Sequence, residues 1–256
     1  MRIIIPMAGH SRRFQKAGYA LPKPFIPIDG VPMIQRVCRM FSPTDEFIFI
    51  CQQAHAARPD FAKILNDAAQ HTRIIPIVPH EFGPVYSALK AASYIEDRAA
   101  PLILTYCDFT LLWNYPRFLR QAAQYEGAIP VFRGFHPASF GDTYYAYVRA
   151  NEAGEMLELR EKQSFTENRA EEYASTGVYY FESWNLFEKY GEELLRLKFA
   201  AGAEYYASLI YNLLVRDGHK VSVYEAEKFI CWGTPEDLAE YRFWSEYFGI
   251  CHFNQI

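Results

Sequence analysis

Positive charge is in short supply. Twenty-six Lys and Arg stand against 30 Asp and Glu in 256 residues, a formal net charge of −4. A generally cationic, nucleic-acid-binding surface is therefore not expected, and an anionic ligand has to be met by a local cluster of positive charge. Cysteine is sparse as well. Cys38, Cys51, Cys107, Cys231 and Cys251 are odd in number and form no CxxC pair. That pattern excludes a disulfide framework and a zinc site, and reads as reduced thiols in a cytoplasmic protein. Long apolar runs are missing, as is a charged segment leading into an apolar one, so neither a membrane span nor a secretory signal is expected. Repeats, linkers and low-complexity stretches are also lacking.

What is present is globular. Half the residues are hydrophobic and 22% are charged, enough apolar material for a sizeable core and too little polarity for disorder. A chain of this length suits one α/β domain, since single domains of roughly 200–250 residues are routine. The reading is one domain over 1–256, in two halves of different texture, 1–125 and 126–256. Aromatics reach 17%. Core packing is the first reading of that excess; a substrate pocket or a contact between copies in a homo-oligomer is the second.

Short apolar runs alternate with helical patterns. Residues 3–6, 47–51, 73–78 and 102–106 read as buried strands, with helices at 32–41, after 51 to about 69, and at 85–95. Continuous apolar strands separated by helices imply a mainly parallel sheet covered on both faces. After Glu126 the strands (128–132, 144–148, 156–159, 175–181) follow at shorter intervals, as in a mixed or antiparallel insertion. Helices at 184–197 and 204–216, a strand at 220–224 and a helix at 235–247 complete the pattern. Thr234-Pro235-Glu236-Asp237 is a strong start for that last helix: a Thr cap, Pro at the first position and acids in the first turn.

The segment richest in chemistry follows the first strand: Pro6-Met7-Ala8-Gly9-His10-Ser11-Arg12-Arg13-Phe14, continuing to Leu21-Pro22-Lys23-Pro24-Phe25. In open α/β sheets the ligand crevice lies at the carboxyl ends of strands. Ala8 and Gly9 let backbone approach a ligand closely, so its N–H groups can meet a base or a phosphate. Arg12, Arg13, Lys16 and Lys23 concentrate positive charge in a net-acidic chain, which suits a polyphosphate; on their own these charges would read as a solvated basic loop. Asp108 closes Thr105-Tyr106-Cys107-Asp108 at the C-terminal end of a buried strand, where a carboxylate points into the crevice and offers magnesium a hard oxygen beside phosphates.

These residues resemble the signature of the sugar-1-phosphate nucleotidyltransferase (nucleoside-diphosphate-sugar pyrophosphorylase) family: an Ala-Gly-rich loop, an Arg, then Pro-Lys-Pro. The resemblance implies a Rossmann-like α/β fold of the nucleotide-diphospho-sugar transferase type, with a mixed, mainly parallel central sheet flanked by helices. It implies Arg13, Lys23 and Asp108 as catalytic, with Arg13 on the nucleotide phosphates, Lys23 at the attacked α-phosphate and Asp108 on Mg2+. Ala8, Gly9, Arg13 and Gly83 (in Glu81-Phe82-Gly83-Pro84) would bind the nucleotide. Leu159-Arg160-Glu161-Lys162 resembles the Glu-Lys-Pro motif and Ser175-Thr176-Gly177-Val178 the strand after it. Glu161, Lys162, Gly177 and Glu204 would thus face the acceptor, with Lys162 on its phosphate.

The sequence departs from the pattern at Ser11, where the family usually has a second Gly, and at Cys231, where many members place a second metal-binding Asp. A thiol is a poor magnesium ligand; Glu204 or Glu161 would have to complete the metal site, or Asp108, phosphates and water suffice. The implied partners are an NTP and a phosphorylated small molecule, by default a hexose or heptose 1-phosphate. A cytidylyltransferase acting on phosphocholine or phosphoglutamine, a glycosyltransferase and a non-catalytic nucleotide binder are the alternatives. Cys107-Asp108-Phe109 lacks the Asp-x-Asp expected of the glycosyltransferase. The overall form resembles a bacterial subgroup associated with surface-polysaccharide genes.

Overall fold

A computed structural model describes residues 1–134, 136 and 145–249. In chain order the first half contains β1 (Arg2–Pro6), α1 (Arg12–Lys16), β2 (Pro27–Ile28), β3 (Val31–Pro32), α2 (Met33–Cys38), β4 (Glu46–Gln52), α3 (Gln53–Ala56), α4 (Pro59–Asn66), β5 (His71–Ile77), α5 (Pro84–Leu89), β6 (Leu102–Thr105), β7 (Phe109–Leu112) and α6 (Tyr115–Ala122). The second half contains β8 (Gly127–Phe132), β9 (Ala146–Ala150), β10 (Met156–Glu161), β11 (Tyr173–Ser175), β12 (Val178–Phe181), α7 (Trp184–Arg196), α8 (Ala207–Arg216), β13 (Val221–Glu225), β14 (Lys228–Cys231) and α9 (Pro235–Tyr247). None of the described helices is long and apolar enough to cross a membrane.

The strands β5, β4, β1 and β6 lie side by side and parallel, with Ile4 opposite Ile48 on one side and Leu104 on the other. The chain runs from β1 outward to β4 and β5, then returns to place β6 on the other flank of β1. That reversal makes the C-terminal ends of β1 and β6 the topological switch point, where a crevice opens. Beyond β6 the sheet turns antiparallel: β12 pairs with β6, β8 with β12 and β11, and β9 with β11 and β10, while β13 runs parallel to β8. The sheet is thus mixed and flanked by helices, the α/β fold expected.

Both faces of the sheet are buried, and alternate residues divide between them. Ile4, Ile48 and Ile50 pack into a layer with Val85, Phe187 and Tyr211, whereas Ile3, Ile5, Phe47 and Phe49 pack into the opposite layer with Val37, Phe61 and Phe118. A third, smaller cluster (Phe14, Ile26, Ile28, Met33, Trp232, Leu238) lies under the loop after β1 and joins it to α9.

Several expected elements change shape. The single strand expected at 175–181 is two, broken at Thr176-Gly177, because Gly177 sits at φ +94 and β11 and β12 pair with opposite ends of β8. The strand expected at 144–148 is Ala146–Ala150, and Tyr144 lies outside the described residues. The helix expected from Glu204 begins at Ala207, leaving 204–206 before it. The β7–β14 pairing, with Cys231 opposite Phe109, has no counterpart in the sequence reading.

Candidate active site

The turn after β1 continues the sheet alignment briefly, the Met7 N–H donating to Ile50 O at 2.8 Å. The Gln52 side-chain amide then donates to Ala8 O and Gly9 O at 3.1 and 3.0 Å, pinning the turn. Ser11 adopts φ 53, ψ 31, the left-handed region that a glycine enters freely. The path of the loop is therefore the one a second Gly would take, and the Ser11 hydroxyl accepts the Lys23 backbone N–H at 3.3 Å. The short α1 buries Phe14 in the small cluster and leaves Arg12 and Arg13 exposed. Arg12 pairs with Glu81 across the groove mouth. The charge of Arg13 acts on Tyr206, on the far wall.

Pro22 precedes a single 3-10 turn, Lys23–Phe25, and Pro24 lies within it, so prolines flank Lys23; Phe25 of the turn is buried against Phe61. This anchoring directs Lys23 inward. Its Nζ donates to Asp108 Oδ2 at 2.6 Å, with each side chain about one-fifth exposed. Burial opposes the Lys23 charge, but the adjacent Asp108 outweighs it and holds the pKa above the ordinary lysine value. Lys23 is thus a fixed cation at the switch point.

Asp108 leaves β6 at its carboxyl end and is fixed from behind, its carbonyl accepting the Trp232 N–H at 2.7 Å. The β7–β14 pairing brings Cys231, Gly233 and Asp237 alongside. A β-carbon on Gly233 would meet Cys231 Sγ at 3.2 Å, Asp108 Oδ2 at 3.3 Å and Asp237 Oδ2 at 3.8 Å. Asp237 caps α9: its Oδ2 accepts from the Thr234 N–H (3.0 Å) and hydroxyl (2.9 Å), completing a capping box. Burial pushes the Cys231 thiol pKa up, and the carboxylates of Asp237 and Asp108 push it further, so it is a neutral thiol.

Among the described residues no three His, Cys, Asp or Glu side chains are placed to hold an ion. The donors are nevertheless compatible with magnesium, which takes one or two carboxylates plus substrate phosphates rather than an all-protein cage. Asp108 supplies that carboxylate. Cys231 does not suit the role, and Asp237 Oδ2 is occupied by the helix cap.

The loop before α5 forms the opposite wall. The Phe82 N–H donates to His80 Nδ1 at 3.1 Å, so Nε2 carries the proton and donates to Ser87 Oγ at 2.9 Å. Burial lowers the His80 pKa below 6.5, and Lys90 and His10 lower it further. An unfolded chain therefore takes up this proton first as the pH falls. Stability is unaffected by His80 above about pH 6.5 and declines below it. The drop in Tm between pH 7.5 and 5.5 is expected to shrink in His80→Gln; an undiminished drop would remove His80 as its source. Gly83, at φ 84 and ψ −175, leaves no room for a β-carbon, which would meet Tyr205 N at 2.8 Å; the Tyr205 N–H donates to Phe82 O at 2.9 Å.

On the remaining side, Glu161 is largely buried and accepts a hydrogen bond from the Ser208 hydroxyl. Burial raises its pKa, partly offset by that bond. Lys162 adopts φ 58, its N–H donating to Tyr145 O at 3.0 Å and its Nζ to the Tyr206 hydroxyl at 2.7 Å. Gly177 is differently placed. A β-carbon there would meet the rings of Tyr106 (3.0 Å) and Phe109 (3.1 Å), so its open face is covered by aromatic side chains.

One groove is lined by Ala8, Gly9, Lys23, Asp108, Gly83 and Glu204. Arg13, Glu161 and Lys162 stand around this lining, and Gly177 lies behind Tyr106. The sequence reading passed over Tyr106, Tyr206, His80 and Ser87, which also line the groove, and Asp237, which it read only as a helix-start acid. Tyr206 could have been found as the residue two positions after Glu204; the His80–Ser87 pair carries no sequence signature.

Comparison with known proteins places this geometry. Residues 3–172 match the family model described as the MobA-like NTP transferase domain. No curated protein sequence matches the chain. Among solved structures, a nucleoside-diphosphate-sugar pyrophosphorylase from Vibrio cholerae RC9 superposes with a TM-score of 0.74 at 20% identity, over 93% of this chain and 98% of that one. The inositol-1-phosphate CTP transferase from T. maritima gives 0.70 at 19% identity, over 96% and 95%. HddC from Yersinia pseudotuberculosis gives 0.67 at 18%, over 96% and 99%. At these identities the likeness establishes the fold.

Proposed function

Because the chain belongs to the MobA-like NTP transferase family and is a nucleotidyltransferase by that membership, we propose that it joins the nucleotidyl group of an NTP to a phosphorylated small molecule. The default acceptor is a sugar 1-phosphate, giving an NDP-sugar and pyrophosphate. The observation that carries the reading is the Lys23–Asp108 pair, held at the switch point opposite the Ala8–Gly9 turn and in the same groove.

In this reaction an acceptor phosphate oxygen attacks the α-phosphorus. A P–O bond forms there as the bond to the β-phosphate oxygen breaks, and pyrophosphate leaves with that electron pair. The protein has no covalent role and acts by positioning and charge neutralisation. The Ala8–Gly9 backbone lies against the nucleotide, Arg13 reaches the phosphates from the rim, and Lys23 neutralises charge developing at the α-phosphate. Lys162 takes the acceptor phosphate, with Glu161 and Glu204 for its polar groups. Asp108 is the residue to hold a magnesium ion, which when bound supplies further neutralisation of phosphate charge.

The test is pyrophosphate release with each of the four NTPs against a panel of sugar 1-phosphates, inositol 1-phosphate and amino-alcohol phosphates. Release that requires both an NTP and one acceptor class supports the reading; no release with any pairing overturns it. An acceptor other than a sugar phosphate is a live outcome, since the T. maritima relative is named for inositol 1-phosphate.

Cys231 has a separate expectation. As a neutral, half-buried thiol it serves packing and the Gly233 N–H, which it accepts at 3.3 Å. Cys231→Ser should retain turnover within about threefold, and the Mg2+ dependence of the rate should not move. A loss of tenfold or more, with a shifted metal optimum, would make Cys231 a ligand.

A further inference from the structure

Resting on that acceptor reading, we propose that Tyr206 is the positioning residue that holds the Lys162 ammonium in place for the acceptor phosphate. Lys162 projects from a strained backbone at the end of β10 and is about half exposed. Left alone, a side chain so long and so exposed samples many rotamers, and fixing one has an entropic cost on binding. Here it is already fixed. Its Nζ donates to the Tyr206 hydroxyl at 2.7 Å and lies 4.5 Å from the centre of the Tyr206 ring. The carboxylate of Glu204 is 3.8 Å away, too far for a direct hydrogen bond but close enough to attract.

The polarity of this chain of groups is set by chemistry. An ammonium only donates and a carboxylate only accepts, so the Tyr206 hydroxyl accepts from Lys162 and donates to Glu204. The other two Nζ protons are left for an incoming phosphate. Tyr206 itself has little freedom. It is the residue before α8, whose Ala207, Ile210 and Tyr211 are fully buried. The preceding residue is tied to the opposite wall, with Tyr205 N–H donating to Phe82 O and Val85 N–H donating to Tyr205 O. Tyr206 and Glu204 both line the groove that holds Lys23 and Asp108. The order of the Lys162 ammonium is therefore inherited from a buried helix rather than from its own exposed stem.

Tyr206→Phe keeps the ring and removes the hydroxyl. The acceptor KM is expected to rise about tenfold, with kcat and the NTP KM within about twofold. A merely structural role would not produce that split. Binding of inorganic phosphate, as a probe of the acceptor-phosphate site, is measured calorimetrically on protein loaded with a non-hydrolysable NTP analogue. Tyr206→Phe should weaken it about tenfold, Lys162→Met further, and the double variant no more than Lys162→Met alone. Unchanged phosphate affinity in Tyr206→Phe, additive losses in the double variant, or an equal rise in the NTP KM would each overturn the assignment. If the wild type releases pyrophosphate yet binds no phosphate, the Tyr206 proposal fails while nucleotidyl transfer stands. If it binds phosphate but releases no pyrophosphate with any pairing, the transferase reading fails instead.

Discussion

Lys23→Ala is expected to lower kcat for pyrophosphate release by about 10³-fold or more, with a smaller rise in the NTP KM. Lys23 is a preorganised cation: its backbone N–H is bound to Ser11, its neighbours Pro22 and Pro24 fix the turn, and its ammonium is 2.6 Å from Asp108. A group held this way needs no reorganisation as charge builds at the α-phosphate, which is where such interactions are worth most. Its removal also leaves the Asp108 carboxylate facing the phosphates without its counter-ion. Lys23→Arg is not expected to restore the rate, because a planar guanidinium does not reproduce a compact ammonium held 2.6 Å from Asp108. Asp108→Ala should lose turnover to a similar extent, and the double variant should be hardly worse than either single one, since the two act as a unit. Retention of near-normal turnover by both single variants would remove the pair from the chemistry.

The half of the site that could be read from sequence is the half built on strand ends. Asp108 follows a continuous apolar strand, and Gly9 follows another, so position alone aims both at the crevice; the β1–β6 switch point then places them together. Lys23 was legible because two prolines flank it. The acceptor side was less so, since its geometry depends on torsion angles and long-range pairings with no local signature. The resemblance set Gly177 facing the acceptor, and the rings of Tyr106 and Phe109 fill the space beside it. Lys162 read as a phosphate ligand without sign of its left-handed backbone or of the tyrosine that orders it. Glu204 read as the start of a helix; residues 204–206 instead precede it, where Glu204 and Tyr206 line the groove and Tyr205 bonds to the loop of Gly83. Ser11 shows the reverse case. It departs from the family pattern in sequence yet takes the glycine-like conformation in the fold.

That loop pairing gives the second large effect. Gly83→Ala is expected to lower Tm by about 6–12 °C and to raise the KM for both substrates about tenfold or more. At φ 84 and ψ −175 Gly83 occupies a region that is essentially closed to other residues, a strain of about 1–3 kcal/mol. The added methyl would also lie 2.8 Å from Tyr205 N and 3.1 Å from Tyr205 O, backbone atoms that cannot rotate away. Relief requires the two loops to part, losing the bonds between Tyr205 N–H and Phe82 O and between Val85 N–H and Tyr205 O. The total is about 3 kcal/mol, and in a chain of this size each kcal/mol shifts Tm by about 2–4 °C. The kinetic effect reaches both substrates because the same contact joins the wall that carries His80 and Ser87 to the segment that carries Glu204 and Tyr206. Gly177→Ala is the comparison: its new methyl meets the rings of Tyr106 and Phe109 rather than backbone, and its expected cost falls mainly on stability, without an equal rise in both KM values. If Gly83→Ala leaves Tm intact, or alters the KM of one substrate alone, the two walls are not coupled through this contact.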